Sequence, residues 1–189
     1  MRELRKHVII ALVEDKPGVL NRIASKWRQR GFNIESLAVG HAETPGLSRM
    51  TFVVDANTDA DQVVRQLDKL VDIVDIRDIS DESIVSREMA LVKVKATAES
   101  RSLIIEIVHI FRAEIVDVGP ESLIIEVTGP DDKIDAMFDL LKNYGVVEMV
   151  RTGRVALVRG AASSTPGLHE LTEEPYERYP EGEGPYSSE

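Results

Sequence analysis

One arrangement of apolar and polar residues is written twice in the first 160 positions, and that repeat constrains the fold more than any other feature. The first copy opens with an apolar run at 7–13, then a turn, Asp15-Lys16-Pro17-Gly18. Val19, Leu20, Ile23, Ala24 and Trp27 follow at helical spacing, and Gly31 is a natural stop. A strand is expected at 34–39, a loop on Thr44-Pro45-Gly46, a strand at 49–54, a helix at 59–70 and a strand at 73–79. The second copy gives a strand at 89–95, a helix at 101–111, strands at 115–118 and 123–127, and a helix at 131–141 opened by Pro130. Strand-like segments at 146–150 and 155–158 close it, separated by Thr152-Gly153. SKWRQRGFNIESL and VHIFRAEIVDV make the same passage from helix to strand in the two halves.

A βαββαβ order folds into an antiparallel sheet with both helices on one face. The expected class is therefore α+β, with two tandem ferredoxin-like units: residues 1–80, residues 81–160, and a joint near 80–87. Units this small bury a modest share of their surface, so each is expected to dock on the other or on a further copy. The hydrophobic content of 43% supplies enough Val, Ile and Leu for both cores. Beyond residue 160 the composition turns to Pro, Glu, Ser and Gly with hardly any aliphatic residues. Such a segment cannot offset the entropy of ordering, and a solvated, disordered tail is expected at 161–189. Tyr176, Tyr179 and Tyr186 leave a docking role for it open.

Several function classes drop out. The absence of cysteine removes disulfides, thiolate nucleophiles and Cys-based zinc sites, and suits a cytoplasmic protein. The net charge of −10 is concentrated in the tail, and with no basic block the chain makes a poor binder of phosphate backbones. No strand shows the paired aromatics on which an RNA-binding βαββαβ domain stacks bases. The apolar run at the N-terminus is short and ends in Glu14-Asp15-Lys16, so a strand is expected there rather than a leader or a membrane span. His7, His41, His109 and His169 are not spaced as metal ligands, and Ser48 and Ser102 have no nucleophile motif around them. No phosphate-cradling loop of the acylphosphatase kind is evident. No catalytic or metal site is expected in this chain.

One segment does carry chemistry. Pro17 pre-sets φ at a helix start, and Gly18 has no Cβ to keep a ligand off the backbone. The first-turn N–H groups and the helix dipole favour a carboxylate. Asp15 can receive an ammonium group, and Asn33 on the next strand can donate and accept. A zwitterionic amino acid fits, although a Pro-Gly turn ordinarily does no more than start a helix. The matching turn of the second unit, Thr97-Ala98-Glu99-Ser100-Arg101, has neither Pro nor Gly. A functional first unit and a structural second copy are the simplest expectation.

The Asp-Lys-Pro-Gly-Val-Leu turn resembles the signature of ACT domains, the small-molecule-sensing βαββαβ modules of amino-acid metabolism. RGFNIESL, TPGLSRMT, QLDKLVDI, REMALVKV, IFRAEIVDV and RTGRVAL follow in order. Together they resemble the small, regulatory subunit family of acetolactate (acetohydroxyacid) synthase over residues 5–160. The resemblance implies a separate large catalytic subunit that uses thiamine diphosphate (ThDP), Mg²⁺ and FAD, with no cofactor in this chain. It implies activation of that subunit and feedback inhibition by valine or a related branched-chain amino acid. It also implies a homodimer through the ACT layers, with the effector between the first helix turn of one copy and the second strand of its neighbour. Carried over, Asp15, Gly18, Val19 and Leu20 line one side, and Asn33 and Ile34 the other. The family often has Asn at the position of Asp15, which leaves the ammonium contact there open. A rival reading, from the same turn, is a free-standing ACT protein acting on some other enzyme or on transcription.

Overall fold

The computed structural model describes residues 6–160 and Ser164. The expected tail, apart from Ser164, lies outside the described residues. The first unit comprises β1 (His7–Glu14), α1 (Val19–Gln29), β2 (Ile34–His41), β3 (Leu47–Val54), α2 (Ala60–Leu67) and β4 (Ile73–Asp78). Its strands lie in the order β2-β3-β1-β4, each antiparallel to its neighbours. The second unit repeats the pattern with β5 (Ile84–Lys95), α3 (Arg101–Ile110), β6 (Glu114–Val118), β7 (Ser122–Gly129), α4 (Asp131–Leu141) and β8 (Val146–Arg151), ordered β6-β7-β5-β8. β9 (Val155–Val158) leaves that path and pairs with the first residues of β5.

Alternation within the strands builds the layers. Ile9, Ala11 and Val13 point to the helix side of β1 and pack with Val19, Ile23 and Trp27 of α1 and with Met50, Phe52 and Val54 of β3. Trp27 and Phe52 stack at 4.6 Å between ring centroids. Val63 and Leu67 are the buried face of α2, which Asp59 caps by accepting from the Gln62 N–H at 2.9 Å. In the second unit, Ala90, Val92 and Val94 of β5 meet Ile104 and Val108 of α3 and Ile134, Met137 and Leu141 of α4. Both units are helix-on-sheet layers, as the repeat implies.

Two departures from the sequence reading matter. Helix α2 ends at Leu67 rather than 70, because residues 68–70 form a turn with the Leu70 N–H bonded to the Leu67 carbonyl. The other concerns the joint. Residues 84–87 are not a linker but the first part of β5, paired with β9 from Ile84–Val158 to Arg87–Val155. This two-stranded ribbon covers the back of the first sheet: Val8, Ile10 and Ile79 pack against Ala156, with Ile84 and Val158 around them. The odd-numbered and even-numbered residues of β1 are both buried for that reason. The Val8 N–H donates to Ser80 Oγ at 2.8 Å, tying the connection that leaves β4 to β1.

Candidate functional site: the turn between β1 and α1

The turn at the end of β1 is held by its neighbours. The Asp15 N–H donates to the Gly46 carbonyl at 2.8 Å, so the β2–β3 loop closes over it. Gly18 caps α1 in the left-handed region, at φ 86°, where side chains are rarely accommodated. No side chain caps the helix and no acid lies in its first turn; the Val19 N–H reaches the Lys16 carbonyl at 3.4 Å, and the N–H groups of the turn that follows have no side-chain cap. Val19 is buried in the core, whereas Leu20 is 44% exposed and stands beside the turn. Asp15 faces His41 at the end of β2, with Nδ1 and Oδ2 3.3 Å apart.

Arg22 and Asp72 belong to this site and were not picked out from the sequence. A Cβ built on Gly18 would lie 3.2 Å from the Arg22 Nη1. The guanidinium donates from Nε and Nη2 to the two oxygens of Asp72, both at 2.6 Å, which fixes it beside the turn. Those hydrogen bonds hold the Asp72 carboxyl below its ordinary range, against the opposing effect of burial. A cation at i+4 from a glycine cap is the only local hint of Arg22, and Asp72 lies fifty positions away.

The depressed carboxyl links this ion pair to stability. Its contribution is complete above the unfolded aspartate value near 3.9 and is lost as pH falls through the lower folded value. Arg22→Met is therefore expected to destabilise the chain at pH 7 and to converge on the wild type toward pH ~2. Urea denaturation at several pH values measures the gap; a gap that stayed constant down to pH ~2 would contradict this assignment.

The second unit shows what the same turn looks like when filled. α3 begins after Ser100, at φ −89°, and the Arg101 side chain folds back over the turn. Its Nη2 donates to the carbonyls of Ala96, Gly119 and Pro120 at 3.1, 2.8 and 2.7 Å. The open turn is a property of the first unit.

Asn33 and Ile34 sit elsewhere within the chain. Ile34 pairs with Val54, which also faces His7, whereas Leu47 faces Glu14. The start of β2 is thus at the opposite end of the sheet from Asp15–Leu20, separated by the eight residues of β3, roughly 25 Å. One chain does not bring the two groups together. Among the described residues, however, β2 is an edge strand, paired with β3 on one side only.

A groove of about 750 Å³ opens between β2 and β9, and His41, the partner of Asp15, is among the residues that line it. Among the described residues, no cluster of His, Cys, Asp and Glu is arranged to hold a metal ion, and no helix is long and apolar enough to cross a membrane.

Two joined βαββαβ layers, one with an open helix start and one with that start filled, define a tandem ACT-type module. Comparison with known proteins gives the particular family. The family model for the "AHAS small subunit-like ACT domain" matches residues 9–75, and that for the "Small subunit of acetolactate synthase" matches residues 87–160. The chain is 53% identical to a probable acetolactate synthase small subunit of Archaeoglobus fulgidus, over 82% of this chain and 98% of that protein. It is 45% identical to the acetolactate synthase small subunit of Bacillus subtilis, over 82% of this chain and 91% of that protein. The crystal structure of the acetolactate synthase small subunit from Thermotoga maritima superposes with a TM-score of 0.78 at 42% identity, covering 84% of this chain and 99% of that one. This chain belongs to the acetolactate synthase small-subunit family, the regulatory partners of that enzyme.

Proposed function

We propose that the chain activates a separate acetolactate synthase catalytic subunit in the cytoplasm and makes it sensitive to feedback by valine or a related branched-chain amino acid. The observation that carries this reading is the open Gly18 turn, with uncapped helix N–H groups and an anchored arginine beside it. Together they suit the effector carboxylate. Asp15 receives the ammonium group in place of, or together with, His41. Leu20 offers its exposed side to the branched side chain. Acetolactate formation itself belongs to the large subunit, where thiamine diphosphate, Mg²⁺ and FAD are expected.

The pocket is completed by a second copy. Pairing two β2 edges antiparallel sets the start of one strand against the end of the other. Asn33 and Ile34 of the second copy then approach His41, and with it Asp15 and Gly18. The separation of the two residue groups within one chain is what such a shared site requires, since neither copy alone encloses the ligand. Calorimetric titration of valine into the chain, with sedimentation on the same samples, tests this. One binding event that weakens as dilution splits the dimer is expected; a valine-binding monomer, or a dimer that binds no branched-chain amino acid, would contradict it.

The reading assigns no role to the tail. Truncation after Gly160 removes the hydrogen bond that the Val158 N–H donates to Ser164 Oγ at 2.9 Å, and is expected to leave both activation and feedback within about twofold of the full chain, since one such bond contributes only about 0.5–1.5 kcal/mol. Assays of the shortened chain with the catalytic subunit check this. Loss of either property would make the tail functional.

A further inference from the structure

The loop between β8 and β9, Thr152 to Arg154, joins the two units at the middle of β2. It is fixed on the side of the second unit in three ways. Thr152 exchanges hydrogen bonds with the Met89 backbone: its N–H donates to the Met89 carbonyl at 2.9 Å, and its Oγ1 accepts from the Met89 N–H at 3.0 Å. Arg151 donates from Nε to Glu88 at 2.6 Å and from Nη1 to Asp135 at 2.5 Å. Arg154 donates from Nε to the other oxygen of Glu88 at 3.1 Å and pairs with Asp131 on α4.

On the side of the first unit the same loop touches β2. The Arg154 N–H donates to Ser36 Oγ at 2.9 Å. Gly153 rests on the Leu37–Ala38 peptide so closely that a Cβ there would overlap its carbonyl and lie 2.8 Å from the Ala38 nitrogen. Only glycine fits at that distance. Among the described residues β2 pairs with a strand on one side only, and its two ends carry Ile34 and the Asp15 partner His41. The strand that takes part in both halves of the proposed effector pocket is the strand this loop grips.

We infer that Gly153 and Ser36 are positioning residues that couple β2 to the second unit, so that a shift of β2 on effector binding is passed through the Arg151–Arg154 loop to the surface engaging the catalytic subunit. This inference rests on the effector reading above. A loop anchored by ion pairs to the buried Glu88 carboxylate transmits a displacement that a solvated linker would absorb. Coupling of this kind is reciprocal: whatever valine does to the complex, the complex does to valine affinity, by the same factor.

The test measures the valine dissociation constant twice, for the free chain and for the chain bound to its catalytic subunit, in the wild type, Gly153→Ala and Ser36→Ala. The wild type is expected to show a ratio between the two of about 5–150, the usual range of allosteric coupling. In Gly153→Ala the free chain keeps valine affinity within about threefold while the ratio falls toward one, and valine inhibition of acetolactate formation weakens by about tenfold or more. Ser36→Ala, which removes one hydrogen bond and strains nothing, moves the ratio the same way by less and decides the matter if Gly153→Ala does not fold. Wild-type ratios in the folded variants would overturn the coupling role alone. Absence of branched-chain amino-acid binding to the wild type would overturn the effector reading beneath it.

Discussion

Gly18→Asp is expected to abolish valine inhibition of the assembled enzyme while leaving activation by this chain largely in place. Gly18 sits at φ 86°, so any side chain there carries strain, but Asp tolerates the left-handed region better than most residues. A cost of about 1–2 kcal/mol leaves the fold intact. The new carboxylate would grow toward the Arg22 guanidinium, since a Cβ at this position stands 3.2 Å from Nη1. It would occupy the place proposed for the effector carboxylate and satisfy the same cation. The variant thus blocks the pocket both sterically and electrostatically, far from the second unit. Acetolactate formation at rising valine, with variant or wild-type chain added to the catalytic subunit, measures the effect. Full valine sensitivity in the variant would place the effector elsewhere.

The second large effect concerns stability. Glu88 is 8% exposed in its side chain and is the shared acceptor of Arg151 and Arg154. Removing it in Glu88→Ala leaves two partly buried cations with their outer partners, the Asp135 and Asp131 carboxylates and, for Arg151, the Asp131 carbonyl. Breaking a buried pair on one side ordinarily costs about 3–5 kcal/mol, and the retained Asp135 and Asp131 pairs place the loss here at or below the lower end, about 2–3 kcal/mol. A loss of that size is expected in urea denaturation of the full chain, with a smaller one for Glu88→Gln, which still accepts hydrogen bonds. A shift below about 1 kcal/mol would mean that solvent replaces Glu88 freely and the cluster is not buried in solution.

The layers were legible because burial writes itself into local spacing. Ile9, Ala11 and Val13 alternate, Val19, Ile23 and Trp27 recur at helical intervals, and the structure puts both sets in one core. The start of β5 was not legible. Ser86, Arg87 and Glu88 interrupt the apolar alternation, and only pairing with β9, about seventy positions later, makes residues 84–87 a strand. The RTGR motif stood out as a pattern but not as a clasp, since Glu88 lies 63 and 66 positions from its two arginines. Arg22 was hidden in the same way, because its partner Asp72 follows the second helix.

The site itself was half legible. Pro17-Gly18 marks an open helix start from local stereochemistry alone, and the structure gives Gly18 the positive φ that only such a residue adopts readily. Closeness in sequence between Asp15 and Asn33 was misleading about space. α1 returns antiparallel to β1 over eleven residues, about 16 Å of helix, so the chain re-enters the sheet at the far end. Asn33 meets Asp15 only across an edge that one chain cannot complete.

The most direct test of the account is a valine titration of acetolactate formation by the catalytic subunit, with and without this chain. Adding the chain is expected to raise the rate, and valine to lower the raised rate while leaving the catalytic subunit alone unaffected. A catalytic subunit whose rate and valine response are the same in its presence and absence would contradict it.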